Sequence, residues 1–452
     1  MIKKFLLPLA FCIMLTLAAF ATEAADISGE VNITAENLQK SVMLDRKITT
    51  ASSGEDVTIT LESQVPMGGV WLRYSAAPIG AALDGKPISE NGFFSEYIEL
   101  GGKKSAVFTF EAVTICEFYV YSEGVLPSEV QLWEVGQNET DLMLFAAHSD
   151  DDQLFFAGLI PYYIARDDVD VKVCFLTTPY QDISRVQELL AGLWHCGLKT
   201  YPTILTLPDD WSESFDEAKR ILERRGHSYD EISATVRDVL NTYKPQVLVL
   251  HDFKGEYGHG MHIFATNTII DTIENAAEGD FVPNKIYVHL YKQNEIILPI
   301  DDPLDFFGGK SAFNVSQEAF RYHKSQHWTW FYGWIYGDNG ETTKASQIRY
   351  CSPQKYGLYY SSEGADTGND MLENIETYAA KREREEAERQ AEESRLAEEA
   401  ALTSTAALET TSVEAEPEEE QKNFPVAALI PILAAMIIAI FAISISLKKR
   451  KV

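Results

Sequence analysis

Two patterns of hydrophobic and polar positions divide the chain. From Asp26 to about Gly136, apolar and polar residues alternate in short runs, VTITLES, GVWLRYSA, SAVFTFEA, CEFYVYSEG and EVQLWEV, separated by Gly, Pro, Asp and Ser clusters. A period of two at that spacing predicts half-buried strands stacked as a β-sandwich over residues 26–136. From Asp141 the runs become continuously apolar: LMLFAAH, VDVKVCFLTT, YPTILTLP, PQVLVLH and KIYVHLY. Helical stretches such as SRVQELLAGLWHCG and ESFDEAKRILERRG lie between them. Strands without polar alternation are those covered on both faces, so residues 137–375 predict an α/β fold with an open, mostly parallel sheet. The stretch from about Leu298 to Asn374 is aromatic and less regular, and WTWFYGWIYGD and KYGLYYSSEGAD are expected to wall a ligand site.

The ends of the chain change that picture. Lys3 and Lys4, the apolar run Phe5 to Phe20, and small residues at Ala19, Ala21, Ala24 and Ala25 read as a secretory signal peptide over 1–25. Phe424 to Leu447 is long and apolar enough to span a bilayer, and the Lys/Arg cluster in the 448–452 tail predicts a cytoplasmic C-terminus. Residues 376–423, rich in Glu, Ala and Arg and then in Thr, Ser and Glu, predict an acidic stalk, helical at first and disordered after. The expected location is therefore the cell membrane, single-pass, with the folded mass extracellular. A formal charge of −30 excludes nucleic acid as a partner, because phosphate neutralisation needs a basic surface. Beyond the leader, Cys116, Cys174, Cys196 and Cys351 lack metal-type spacing and are expected as buried free thiols.

Candidate chemistry is concentrated in two stretches, Ala147-His148-Ser149-Asp150-Asp151-Asp152 and Gly255-Glu256-Tyr257-Gly258-His259-Gly260-Met261-His262. Together they offer imidazoles and carboxylates enough for a divalent ion, with an Asp and a His left over for proton transfer. The first directly follows the first apolar strand and the second follows the fourth. Open α/β sheets bind ligands beyond the carboxyl ends of their strands, so the two should meet there.

In order and in detail these stretches resemble the AHPDDE and GYGHPDH signatures of the PIG-L (LmbE-like) zinc-dependent N-deacetylases, with TTPYQDISRVQE between them and KYGLYYSSEGADTGNDMLENI as the closing segment. The resemblance covers about Asp141 to Ile375 and implies a Rossmann-like sheet. It implies His148, Asp151 and His262 as ligands of Zn2+ or another divalent ion, with Asp150 as general base. His259 would act as an acid or oxyanion donor and Tyr257 as a hydrogen-bond donor to the tetrahedral intermediate. Arg185 would bind substrate and Glu188 would brace the local structure. His251 is expected to be structural, with Asp252, Lys254 and Glu256 shaping the same loop; His323 and Gln326 are candidates for the pocket wall.

Four positions depart from the pattern: Ser149 replaces Pro, Asp152 replaces Glu, and Gly260-Met261 replaces Pro-Asp. The last removes a carboxylate that would raise the His259 pKa. The N-terminal region is similar to galactose-binding or discoidin-like sandwiches, although Trp71, Tyr74, Phe118, Tyr119, Tyr121 and Trp133 are as a group more in keeping with a core than with sugar platforms. The implied activity is hydrolysis of an N-acetyl group on an amino sugar of a cell-surface glycan or glycoconjugate. The alternatives are an amidase acting on a non-sugar amide and a glycan-binding protein that has lost catalysis.

Overall fold

A computed structural model describes residues 22–177 and 182–410. The expected membrane span (424–447), the tail and most of the leader lie outside the described residues, and among those described no helix is long and apolar enough to cross a membrane.

Apart from the short helix α1 (Lys40–Met43), the N-terminal region is built of strands. Strands β1 (Asn32–Glu36), β2 (Ser52–Tyr74), β3 (Ala82–Leu83), β4 (Lys86–Pro87) and β5 (Ser95–Ser122) belong to one five-stranded sheet in the order β1-β2-β5-β3-β4. Within it, different parts of β2 and β5 pair with each other in more than one ladder. The first half of β2 meets the middle of β5 (Val57↔Phe110, Leu61↔Ala106), and Trp71 pairs with both Tyr97 and Tyr119. In each ladder the partner numbers fall as β2 rises, so the paired backbones run in opposite directions. Alternate residues, among them Val57, Ile59, Leu61, Phe108, Phe110 and Phe118, fill the core of this region.

The folded part begins earlier than the expected boundary at residue 26. Ala24 is buried and its N–H donates to the Val125 carbonyl, and Asp26 bridges to Tyr121 and ion-pairs with Arg46 at 2.6 Å. A leader ending at Ala25 would remove a piece of this edge.

The α/β region is a seven-stranded sheet. Its strands are β6 (Leu142–Ala146), β7 (Val171–Thr177), β8 (Thr203–Leu207), β9 (Val247–Leu250), β10 (Lys285–His289), β11 (Glu295–Ile297) and, after the short ribbon of β12 (Pro303–Leu304) and β13 (Lys310–Ser311), β14 (Lys355–Ser361). The order is β11-β14-β10-β9-β6-β7-β8, with β8 to β10 parallel and β14 antiparallel to both β10 and β11. The five apolar runs are the five parallel strands. Leu142, Leu144 and Ala146 face one core while Met143, Phe145 and Ala147 face another, which is why these strands lack polar alternation.

KYGLYYS, expected in the outer wall, is instead strand β14, with Tyr356 and Leu358 buried. Helices α2 (Leu159–Ile164), α3 (Ser184–His195) and α7 (Ala312–Phe320) pack in the first core. Helices α4 (Phe215–Arg224), α5 (Tyr229–Tyr243) and α6 (Gly260–Glu274) supply much of the second. Ser214 caps α4 through the Glu217 N–H, and Ser228 with Glu231 forms a capping box on α5.

The boundary at 136 is not a seam, since both regions lie within one compact unit ending at Glu383. Gln187 of α3, fully buried, donates to the Tyr74 and Phe94 carbonyls at 2.7 and 2.8 Å and accepts from Arg73 Nε at 2.8 Å. Phe93 stacks on Tyr201 at 4.0 Å. Farther along, a long helix spans Tyr378–Thr410; its residues from Lys381 to Thr403 are exposed and carry pairs such as Arg384–Glu388 and Arg395–Glu399. The four cysteines are buried and free.

Candidate metal and active site

Strands β6 and β9 are neighbours in the sheet although β7 and β8 intervene in sequence, so the chain order reverses between them. Residues 147–152 leave β6 and residues 251–262 leave β9 at that switch point. Ser149 does not start an α-helix; the chain makes a single 3-10 turn at Asp151–Gln153, with Asp150 at its N-cap position. The second loop bends through left-handed backbone at Gly255 (φ 68°) and Tyr257 (φ 50°). A Cβ on Gly255 would meet the His259 carbonyl oxygen at 2.5 Å, so this approach requires glycine.

Three groups converge. His148 Nδ1 lies 3.0 Å from His262 Nε2 and 3.2 Å from Asp151 Oδ2, and His262 Nε2 lies 3.3 Å from Asp151 Oδ1. The far sides of both rings face carboxylates. His262 Nδ1–H donates to Glu256 Oε2 at 2.6 Å, and His148 Nε2–H donates to Asp209 Oδ1 at 3.3 Å. Those partners place each proton away from the centre, leaving two nitrogen lone pairs and a carboxylate aimed at one another. Such a set repels itself without a cation. Four ligands at about 2.0–2.1 Å from zinc in tetrahedral geometry are separated by roughly 3.3 Å, so the donor set fits a divalent ion. Burial opposes ionisation of Asp151, but His262, His251 and His148 outweigh it and hold the carboxyl well below its ordinary range.

His251 and His259 also come within reach of this cluster. The Ala147 N–H donates to His251 Nε2 at 2.9 Å and His251 Nδ1 faces Glu256 Oε2 at 2.7 Å, so both nitrogens are occupied, as its expected structural role requires. For His259, Nδ1 accepts from the Met261 N–H at 3.3 Å, leaving Nε2 uncommitted. Burial, reinforced by His148 and His262, pushes its pKa down to about 2, consistent with the missing acidic neighbour at Met261. His259 is therefore a neutral ring with its proton on Nε2. Tyr257 is in ring contact with His262 at 5.6 Å and His259 at 5.5 Å. Its hydroxyl pKa is raised by burial and by Asp151 and Asp150, which keeps it a hydrogen-bond donor.

Asp150 is buried, with Oδ1 3.2 Å from Arg185 Nη2. Burial raises its pKa; Arg185 pulls the other way and Asp151 adds to the rise. Arg185, expected to meet substrate, is thus turned onto the candidate base. Glu188 braces the wall as expected, accepting from the Ser325 N–H at 2.9 Å and its hydroxyl at 2.5 Å, while Arg185 Nη1 lies 3.4 Å from Ser325 Oγ. A cavity of about 1110 Å3 opens behind this brace, lined in part by Trp71, Tyr119, Trp194, Glu188 and Ser325, and does not include the His/Asp centre. His323 is not in a pocket wall; it is buried and stacked on Phe320. Gln326 reaches only Ser325 among the bonds of its side chain that are described.

Two carboxylates matter more than their positions in the sequence suggest. Glu256, fully buried, faces Nδ1 of His251, His262 and His289 and accepts the Asp252 N–H. Asp209, in LPDDW just after β8, orients His148; burial works against its charge, but His148 brings its pKa down to about 2. Carboxylate–imidazole pairs of this kind set the tautomer of metal-binding histidines. The one sequence signal for Asp209 was a carboxylate at the carboxyl end of a parallel strand.

Part of the α/β region is similar to known proteins. Residues 143–273 match the family described as PIG-L: GlcNAc-PI de-N-acetylase. This part of the α/β region is therefore similar to the PIG-L/LmbE-like deacetylases. A relative, the 1D-myo-inositol 2-acetamido-2-deoxy-alpha-D-glucopyranoside deacetylase of Mycobacteroides abscessus, is 29% identical over 157 residues, covering 30% of this chain. The match spans about half of that relative (56%). Among solved structures, N,N'-diacetylchitobiose deacetylase from Pyrococcus horikoshii matches at 14% identity and TM-score 0.35, over 48% of this chain and 83% of that one. GalB, the 4-carboxy-2-hydroxymuconate hydratase of Pseudomonas putida KT2440, matches at 15% and 0.33, over 51% of this chain and all of the other.

Proposed function

We propose that this PIG-L/LmbE-like protein is a metal-dependent N-deacetylase that removes the acetyl group from an amino sugar of a cell-surface glycan, working outside the membrane on a C-terminal anchor at 424–447. The observation that carries the reading is the convergence of His148 Nδ1, His262 Nε2 and Asp151 at 3.0–3.3 Å, with Asp150 beside them. His148, Asp151 and His262 would hold zinc or another divalent ion. Bound there, the ion supplies Lewis acidity toward the acetyl carbonyl and acidifies water.

The chain's own residues account for the remaining chemistry. Asp150, held by Arg185, takes a proton from water as the water oxygen bonds to the acetyl carbon. Tyr257 and the neutral His259 donate hydrogen bonds to the oxygen that gains charge. As the C–N bond breaks, the proton on Asp150 passes to the departing nitrogen, giving acetate and a free amine. A carboxyl whose pKa burial has raised is suited to both halves of that transfer. His259, lacking an acidic neighbour, serves as a donor and not as a charged acid.

The test is acetate release from N-acetylglucosamine conjugates by the full-length protein, with metal content measured alongside. Wild type should bind one divalent ion and release acetate. Asp150→Asn should keep the ion and lose activity by about 100-fold or more, and His262→Ala should lose both. Acetate released only from non-sugar amides would make the protein an amidase of another class. A bound ion without turnover on any amide would leave a glycan-binding protein.

A further inference from the structure

More aromatic surface surrounds the mouth of this site than packing there uses. Trp211, two residues after Asp209, is 60% exposed; Trp328 is 84% and Trp330 48% exposed. Tyr332 and Tyr350 are exposed as well. These rings continue the catalytic loop. Trp211 lies 4.8 Å from His259 and 6.2 Å from Tyr257, its plane 23° from that of Tyr257. Trp330 lies 5.6 Å from Tyr257 and 6.5 Å from Tyr350. Tyr257 is therefore flanked by two tryptophans from different parts of the chain, one from the β8–α4 loop and one from helix α8 (Trp330–Tyr336).

Leaving such rings in water forgoes roughly 25 cal/mol for each Å2 of apolar surface, and exposed apolar patches of this kind mark binding surfaces. Charge narrows what covers them. Asp209 and Asp210 adjoin Trp211, Arg225 is spent on Asp210 at 2.7 Å, and the chain as a whole carries −30. That environment suits a neutral ligand that becomes a cationic amine on deacetylation, and it opposes an anionic lipid surface. The C–H face of a pyranose, its hydrogens slightly positive, matches the negative face of an indole ring.

We propose that Trp211 and Trp330 are sugar-stacking subsites on either flank of Tyr257, so that the reacting amino sugar is one ring within an oligosaccharide of N-acetylhexosamines. The proposal rests on the deacetylase reading of the centre but is tested without turnover. Full-length protein in detergent micelles is titrated with N-acetylglucosamine and with N-acetylchitotetraose, followed by tryptophan fluorescence and calorimetry. The tetramer should bind at least about tenfold more tightly than the single sugar. Trp330→Ala and Trp211→Ala should each abolish most of that gap, and Trp330→Phe, which keeps a flat ring, should retain much of it. Phe306→Ala, which removes an exposed ring outside the mouth, should leave the gap intact. Equal affinity for the two sugars, or a gap that survives both Trp→Ala replacements, overturns the subsites. A fluorescence blue shift on transfer to phosphatidylcholine–phosphatidylglycerol nanodiscs, lost in the same variants and unaccompanied by a chain-length gap, would assign the rim to the membrane instead. Tight tetramer binding with no acetate released from any sugar would remove the deacetylase reading and leave the subsites standing.

Discussion

The two ends of the α/β sheet are both rich in buried polar groups, yet they are built differently. At the amino ends of the strands Asp141 and Lys285 are each engaged by several partners. Asp141 accepts from the Asp170 and Tyr378 N–H groups and from Gln246, and Lys285 donates to Asp366 and to the carbonyls of Met371 and Glu373. At the carboxyl ends the partners are arranged so that something is left over: Glu256 and Asp209 take the protons of His262 and His148, and the opposite nitrogens face an open point. The same chemical groups make a clamp at one end and a ligand set at the other. What differs is whether the hydrogen bonds exhaust the lone pairs.

The largest expected effect breaks the clamp end. Lys285→Met leaves Asp366 buried with only the Tyr287 hydroxyl against its carboxylate, which should cost about 3–5 kcal/mol of stability in denaturant unfolding. Metal stoichiometry of the folded fraction should be unchanged; a loss of metal without a loss of stability would erase the distinction between the ends. Next comes Glu256→Gln. A glutamine amide must turn its NH2 toward at least one imidazole Nδ1–H, and a flipped His262 would carry its proton on Nε2, against the ion. Zinc affinity should fall by about 10–100-fold in a competition titration. An unchanged affinity would mean that Glu256 is clamp and not orienter.

The smallest effect concerns Asp170, whose pKa burial and the Asp141 charge raise from 3.8 to about 6. The folded state then holds this proton more tightly than the unfolded one, so stability should fall as pH rises from about 4 to 6. Asp170→Asn should flatten that slope and stabilise the protein by about 1 kcal/mol at pH 7, after allowance for its partial exposure. A steeper slope in the variant would show that this carboxylate is satisfied by its surroundings.

Much of the sheet was legible because a strand covered on both faces must be apolar at every position, as LMLF and VLVL are. Strand β14 was not. Gly357 interrupts its pattern because a Cβ there would meet the Tyr291 carbonyl oxygen at 2.3 Å, and the ladder with β10 slips at Ile286/Tyr287. In the site, His148, Asp150, Asp151, Tyr257, His259 and His262 stood out because two short stretches hold them in the order of the PIG-L signatures they resemble. Asp209, His289 and the turn of Arg185 onto Asp150 left no comparable mark, since their partners are 61, 33 and 35 residues away.

The sequence by itself determined the five parallel strands, the order in which they appear, and two loops stocked with imidazoles and carboxylates, all properties of residues near one another in the chain. Only the tertiary structure decided which nitrogen of each imidazole faces the centre, what holds Asp150, and that tryptophans from β8–α4 and α8 flank the same tyrosine. Those choices depend on strand order. By setting β9 beside β6 the sheet brings His262 to His148, and by setting β10 beside β9 it brings His289 to Glu256, pairs that no local pattern connects.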